Sequence, residues 1–440
     1  MYVIKNVMIY DYHRFIKNGY VIFDSHIQEV GDMSQYKEEH KHQIIDGNNK
    51  IILPGFVSGH THLYSTFARG LVLPFNPQNF TDILKQMWWK LDHYLDLEMI
   101  FHSALMGGIN QVLNGTTTLV DHHASHLVRG SLEQIRLAIN DQLGMRAILA
   151  FETSDRFSIE ASIEENHRFI NNHHNKQISG MFGMHASLSL SDESLLAIKE
   201  KLHGQGIHVH VAESLQDQSH CLKHYQMRVV ERLAHFGLLN QHSLLVHCTH
   251  INEVEMDIIK KYGATIAINP TSNLNNAVGI SQVKKFLEKG IPVIVGNDGL
   301  IQNQPMEYLN TFYLQRFLHQ TPMAFDLNDV LKLIHHTYDF VNHQLGTSLG
   351  RISKDSEADL LMLDYRPYTE VNHDNIFGHV FYGLYPGFKP EKVFINGKLV
   401  VDHYQVMIDE LVFQKAKESS NKLWQIIKKE GVTFEFENKF

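Results

Sequence analysis

Leu53-Pro-Gly-Phe-Val-Ser-Gly-His-Thr-His62 decides how the rest of this chain is read. A short apolar run ends in two histidines one residue apart. On a β-strand, residues i and i+2 face the same side, so His60 and His62 can reach one ion together. The apolar residues precede the pair and place it at the strand's C-terminal end, where barrel enzymes carry their chemistry. The chain holds 31 histidines, so the pair gains meaning only if further ligands follow in order.

Working outward, strand-like apolar runs at 55–57, 116–120, 146–151, 179–183, 207–211, 244–246, 265–268 and 292–295 alternate with helical stretches. Alternation of this kind predicts parallel strands joined by right-handed crossovers. The expected fold class is α/β, a (β/α)8 TIM-like barrel. An open doubly wound sheet would show a Gly-rich phosphate loop after its first strand, and residues 58–66 offer none. Short β-like runs separated by turns fill residues 1–52 and return from 357 to 405. The expected organisation is a small β-sandwich domain from 1–54 and 351–405, a metal-dependent barrel from 55–350, and a C-terminal helix and tail from 406–440. The expected tail helix, 408–429, is amphipathic.

Composition narrows the function classes. The 440 residues carry a net charge of -9, which argues against a nucleic-acid or polybasic membrane surface. Two cysteines, Cys221 and Cys248, cannot build a disulfide framework and fit a reducing compartment. The first residues lack a basic region followed by an apolar core. No run of about 18 apolar residues predicts a membrane-spanning helix. The expectation is a cytoplasmic protein with a small-molecule substrate and no nucleic-acid or membrane partner.

The residues that follow each strand supply the ligands. After the first come His60 and His62; after the second, Asp121-His122-His123; after the third, Glu152, Asp155 and Arg156; after the fourth, His185. The fifth carries His208 and His210, then Glu213. The sixth ends in His247-Cys-Thr-His250, the seventh in Asn269-Pro-Thr-Ser-Asn273, the eighth in Gly296-Asn-Asp298-Gly. Buried strands seldom tolerate such groups unless they are paired or bind metal. Imidazoles with a carboxylate suit Zn2+, and also Fe2+, Mn2+ or Co2+. Such an ion lowers the pKa of a coordinated water to about 7. A nearby carboxylate that is not a ligand can then move protons.

Ser-Gly-His60-Thr-His62 after Leu-Pro-Gly-Phe, His210-Val-Ala-Glu213, Val-His247-Cys-Thr-His250 and Gly-Asn-Asp298-Gly resemble, in order, the motifs of the amidohydrolase superfamily. The resemblance spans nearly the whole chain and is nearest to the cyclic-amidine deaminase and chlorohydrolase branch. Met-Trp88-Trp89-Lys-Leu-Asp92 and Asp121-His-His-Ala-Ser125 look most like its SsnA aminohydrolase group. The resemblance implies His60, His62, His210 and Asp298 as metal ligands, Glu213 as proton shuttle, His247 as a group that orients or polarises substrate, and Asp298 as a partner in water activation. It implies His185 as a substrate contact. Trp88, which would stack on a heteroaromatic ring, His122 and Asn303 are further candidate contacts. His208 and His250 are read as structural. No lysine stands at residues 181–187 to carry a carboxylate bridge, so one divalent ion is expected, Zn2+ first, with Fe2+ or Mn2+ as alternatives. The implied activity is hydrolysis of a non-peptide C–N bond, foremost deamination of an aminated heterocycle or amidine. The alternatives are loss of halide or alkylamine from a triazine-like ring, hydrolysis of a linear amidine, or an idle accessory protein on the same fold. A homodimer is a further family expectation.

Overall fold

The computed structural model describes residues 1–38, 43–48 and 50–430. Asn49, in one of the turns expected within residues 1–52, and residues 431–440 of the expected tail lie outside the described residues. The chain opens with strands β1 (Tyr2–Tyr10), β2 (Phe15–Phe23), β3 (Ile27–Asp32), β4 (Gln43–Asp46) and β5 (Lys50–Pro54). It then alternates strands with helices through β6 (Phe56–Thr61), β7 (Thr116–His123), β8 (Arg146–Phe151), β9 (Ile178–Gly180), β10 (Phe182–Ala186), β11 (Ile207–Val211), β12 (Leu244–His247), β13 (Thr265–Ile268) and β14 (Val293–Val295). Four strands return near the end: β15 (Leu360–Asp364), β16 (Lys392–Ile395), β17 (Lys398–Asp402) and β18 (Gln405–Val406).

The central strands are buried along their whole length and on both faces, as parallel strands covered by helices must be. They form two parallel sheets, β6-β7-β8-β9 and β10-β11-β12-β13-β14. Parallel bridges join the two at both margins, Thr61 to Asp298 and Thr153 to Met184. The run expected at 179–183 proves to be two strands. Met181 N donates to Leu149 O, whereas Phe182 N donates to Gly206 O, so the chain changes partner between these residues. Gly183 makes the change sterically possible: a Cβ there would sit 2.2 Å from Phe151 O. The helical stretch between β11 and β12 is also two helices, Leu215–Tyr225 and Val229–His235. Gln226, at φ 57°, closes the first in a left-handed cap.

Strands β15 to β18 add to β5-β1-β2-β3 in one nine-stranded mixed sheet, with β4 paired to β1. Two stacked sheets were the expectation. Instead a single sheet curls until His26, just ahead of β3, bridges to Glu357, just ahead of β15. The curl encloses Ile4, Val7, Phe23, Ile52, Leu360 and Phe394 in a core of their own. Arg146 at the start of β8 pairs with Asp359 at 3.2 Å, both side chains 1% exposed, and clamps this sheet to the parallel one. The amphipathic helix Leu411–Glu430 packs across the helix Leu97–Leu113, where His102 Nδ1 lies 2.8 Å from Ser419 Oγ. Its Trp424 Nε1 donates to Phe67 O at 2.7 Å. Among the described residues no helix is long and apolar enough to cross a membrane.

Candidate metal centre

His60 stands in β6 and His62 just beyond it, and the pleat turns both rings into one buried space with His210 from β11. Each ring is held by its other nitrogen. His62 Nδ1 donates to His122 O at 2.5 Å, and His210 Nδ1 donates to His185 O at 2.9 Å. A carbonyl oxygen can only accept, so in the neutral rings both protons lie on Nδ1 and both Nε2 atoms carry lone pairs. Those two Nε2 atoms face each other at 3.2 Å. Two lone pairs at that distance repel unless a cation lies between them. His60 Nδ1 is 2.8 Å from His208 Nε2, and His60 Nε2 is buried without a hydrogen-bond partner. Asp298 completes the cradle, its Oδ1 3.1 Å from His62 Nε2 and 3.8 Å from His60 Nε2. Oriented imidazole nitrogens, one carboxylate and an orphaned Nε2 fit a single divalent ion.

Electrostatics agree with that fit at His60, His210 and Asp298. Burial drives His210 well below its ordinary pKa and His60 down to about 4, so both are lone-pair donors at neutral pH. Burial would lower His62 as well, but the Asp298 carboxylate holds it up at about 8. The same contacts with His60 and His62 outweigh burial at Asp298 and keep it well below the ordinary carboxylate value. Asp298 sits at φ 55°, His247 at φ 69° and Ala212 at φ 46°. Left-handed backbone at three strand ends turns their side chains over the mouth of the sheets, a strain that gathers at working sites.

Beside the cradle, His247 Nδ1 donates to Asn273 Oδ1 at 2.8 Å, which leaves Nε2 as an acceptor. That Nε2 lies 3.5 Å from Glu213 Oε2 and 3.5 Å from Asp298 Oδ2. Burial first, and then the Asp298 charge, push Glu213 well above the ordinary carboxyl range. Of these groups His62, His210, Glu213 and Asp298 open on a cleft of about 850 Å3, also lined by Tyr64, Trp88, Trp89, His185, Asn276 and Leu300.

The structure thus brings together His60, His62, His210, Asp298, Glu213 and His247, with Trp88 and His185 in the cleft wall. Two candidate substrate contacts fall elsewhere. His122 is fully buried beneath the cradle, its Nε2 donating to Met184 O and His208 O, and does not line the cleft. The inward face of β7 at that level is filled by neighbouring strands, so a ring there supports the cradle floor. Asn303 caps the helix Gln304–His319 by accepting from Met306 N, and does not line the cleft either. The pattern Asn-x-x-Met before a helical stretch was the available signal for that cap. His250 Nε2 lies 2.6 Å from Val278 O, a structural contact. Sequence reasoning did not single out Asn273, which sets the His247 tautomer. Nor did it link Asp92, Arg156 and Glu152 into the cluster they form at the cleft wall.

A model of the amidohydrolase family matches residues 51–400. A 5-methylthioadenosine/S-adenosylhomocysteine deaminase of Syntrophomonas wolfei is 29% identical over 426 residues, covering 93% of this chain and 95% of that protein. Among solved structures, a zinc-bound adenosine deaminase from Xanthomonas campestris has a TM-score of 0.82 at 18% identity, covering 96% of this chain and 98% of that one. The zinc complex of atrazine chlorohydrolase from Arthrobacter aurescens gives 0.81 at 18% identity, over 96% of this chain and 100% of the other.

Proposed function

The chain belongs to the amidohydrolase family, and from that premise we propose that it is a metal-dependent aminohydrolase that removes ammonia from an aminated heterocycle. One observation carries the reading: Glu213, a buried carboxyl outside the ligand cradle, lies at the cleft wall 3.5 Å from the acceptor nitrogen of His247. His60, His62, His210 and Asp298 hold one ion, Zn2+ by ligand type. When bound, that ion supplies a Lewis acid that lowers the pKa of a coordinated water.

The chain's own residues supply the remaining steps. Asn273 keeps the proton on His247 Nδ1, so His247 Nε2 accepts a hydrogen bond from the attacking water and aims it. Asp298 Oδ2, on the same side, shares in taking the proton. Glu213 carries a proton to the ring nitrogen beside the attacked carbon, and then to the departing amine. Its raised proton affinity suits a group that must both take and give protons near neutral pH. Trp88 offers a face for the ring, and His185 a polar contact at its edge. The relatives named as adenosine-type deaminases support an amine on a heteroaromatic carbon as the scissile group.

The rest of the reading is architectural. The bridges at both margins support one closed (β/α)8 barrel over 55–350. The curled sheet forms a small domain from 1–54 and 351–405, and 406–440 forms a C-terminal helix and tail. We place the enzyme in the cytoplasm as a homodimer, with neither nucleic acid nor membrane as partner. Metal analysis of the purified enzyme, with ammonia release from purines, pyrimidines, triazines and amidines, tests the function. Full metal occupancy with no ammonia from any of them overturns it.

A further inference from the structure

The cleft wall carries charge that the proposed chemistry does not use. Glu152 follows β8, and Arg156 lies four residues further on in the loop that leaves the strand; both side chains are 4% exposed and both line the cleft. Arg156 Nη2 donates to Asp92 Oδ1 at 2.6 Å and to Asp92 Oδ2 at 2.5 Å. Its guanidinium carbon sits 4.7 Å from the ring centroids of Trp89 and Phe157. Nη2 is therefore locked in place. The other two nitrogens are loosely held: Nη1 reaches Glu152 Oε1 at 3.5 Å, and Nε is buried without a hydrogen-bond partner. A buried ion cluster costs desolvation that apolar residues of the same size would avoid. An arrangement that fixes one side of Arg156 and leaves donors beside a carboxylate is organised for a ligand.

We propose that Glu152 and Arg156 form a recognition edge that reads a lactam, an adjacent ring N–H and C=O, on the substrate. This rests on the deaminase reading and narrows it to oxo-substituted amino-heterocycles. Arg156 Nη1 donates to the ring carbonyl, and the ring N–H donates to the Glu152 carboxylate. Burial raises the Glu152 carboxyl to about 7; in its ionised form both bonds are charge-assisted, and both partners are already oriented. A ring without the lactam turns a nitrogen lone pair toward the Glu152 carboxylate and leaves Arg156 without its acceptor. Sites built to hydrogen-bond a substrate reject analogues that lack the group by large factors, whereas a missing methylene matters far less. Trp89 and His185, with rings 6.4 Å apart, connect this edge to the metal cradle through the His185 carbonyl that orients His210.

The test uses pairs with the same leaving amine that differ only in the lactam: guanine against 2-aminopurine, isocytosine against 2-aminopyrimidine, and pterin against 2-aminopteridine. kcat/KM for ammonia release is measured with the metal-loaded enzyme and with Glu152→Gln. The wild type should favour the oxo member by about a hundredfold or more, mainly through KM. Glu152→Gln should bring the ratio within about tenfold, because the amide can donate to a ring lone pair as readily as it accepts from an N–H. Metal content and melting temperature should be unchanged. Equal wild-type rates within the pairs, turnover confined to rings without a lactam, or an equal loss for both members in Glu152→Gln would each overturn the recognition edge and leave the deaminase reading standing. Absence of ammonia from every aminated heterocycle would overturn both.

Discussion

Replacing Glu213 with Gln separates proton transfer from metal binding and from packing. The side chain keeps its volume, and its position 3.5 Å from His247 Nε2 is outside the cradle of His60, His62, His210 and Asp298. The amide cannot accept a proton and return it. A single positioned acid–base group contributes about 10²–10⁴-fold, and Glu213 serves two successive transfers. The expected loss in kcat is therefore about a thousandfold or more, which is about 4 kcal/mol of transition-state stabilisation. Metal stoichiometry should stay at the wild-type value. Stability should not fall, and the sign follows from the raised proton affinity of the buried carboxyl. Such a group binds a proton more tightly when folded, so its contribution is full below the unfolded pKa and is lost as pH rises. A neutral amide removes that loss, so the variant should melt no lower than wild type at pH 8. The assay is single-turnover and steady-state ammonia release, beside elemental analysis and thermal melting. Activity within tenfold of wild type, or loss of metal along with activity, would refute the assignment.

Other perturbations test other parts of the structure. Asp298→Asn keeps a residue type that tolerates the left-handed backbone at φ 55° but removes the charge; bound metal per chain should drop well below the wild-type ratio, and retained stoichiometry would remove Asp298 from the ligand set. Asp359→Ala leaves Arg146 buried and unpaired, and should cost about 3–5 kcal/mol in urea unfolding, as breaking a buried pair does; a cost under about 1 kcal/mol, the size of an exposed pair, would show that the pair does not clamp the two sheets. Burial raises the Glu307 carboxyl to about 8. Native Glu307 thus holds a proton through a window where the unfolded chain has lost it, and stability should decline from about pH 4.5 to about pH 8. Glu307→Gln should flatten that decline in melts across the window, and an unchanged slope would exclude Glu307 as its source.

The proposed metal ligands were legible because their chemistry is carried by residue type and strand position. His60 and His62 lie on one side of a short apolar strand, and Glu213 follows His210 in a fixed register. The strand runs at 146–151, 207–211 and 265–268 coincide with β8, β11 and β13, because parallel strands buried on both faces are rich in aliphatic residues even where a histidine or arginine interrupts them. Boundaries failed where the signal was steric. The split at Met181 depends on which neighbour accepts from each amide, and the break at Gln226 depends on one left-handed residue. The helix of Leu84 and Trp88, which places both in the cleft, is a π-turn, and no periodic pattern announces one.

By itself the sequence determined the ligand types, their order along the chain and the class of chemistry, since imidazole and carboxylate bind and move protons wherever they are set. Only the tertiary structure decided what each of the neighbouring histidines does. His208, His122 and His185 are as buried as His210, and their roles differ because backbone carbonyls and facing rings fix which nitrogen bears the proton. The same holds at the cleft wall. Asp92 and Arg156 lie 64 residues apart in sequence and meet only through the packing of their helices and strands, so no local spacing could reveal their contact. The stretch that opens the first parallel sheet names two proposed ligands; the fold around it fixes their tautomers and the shape of the cleft they face.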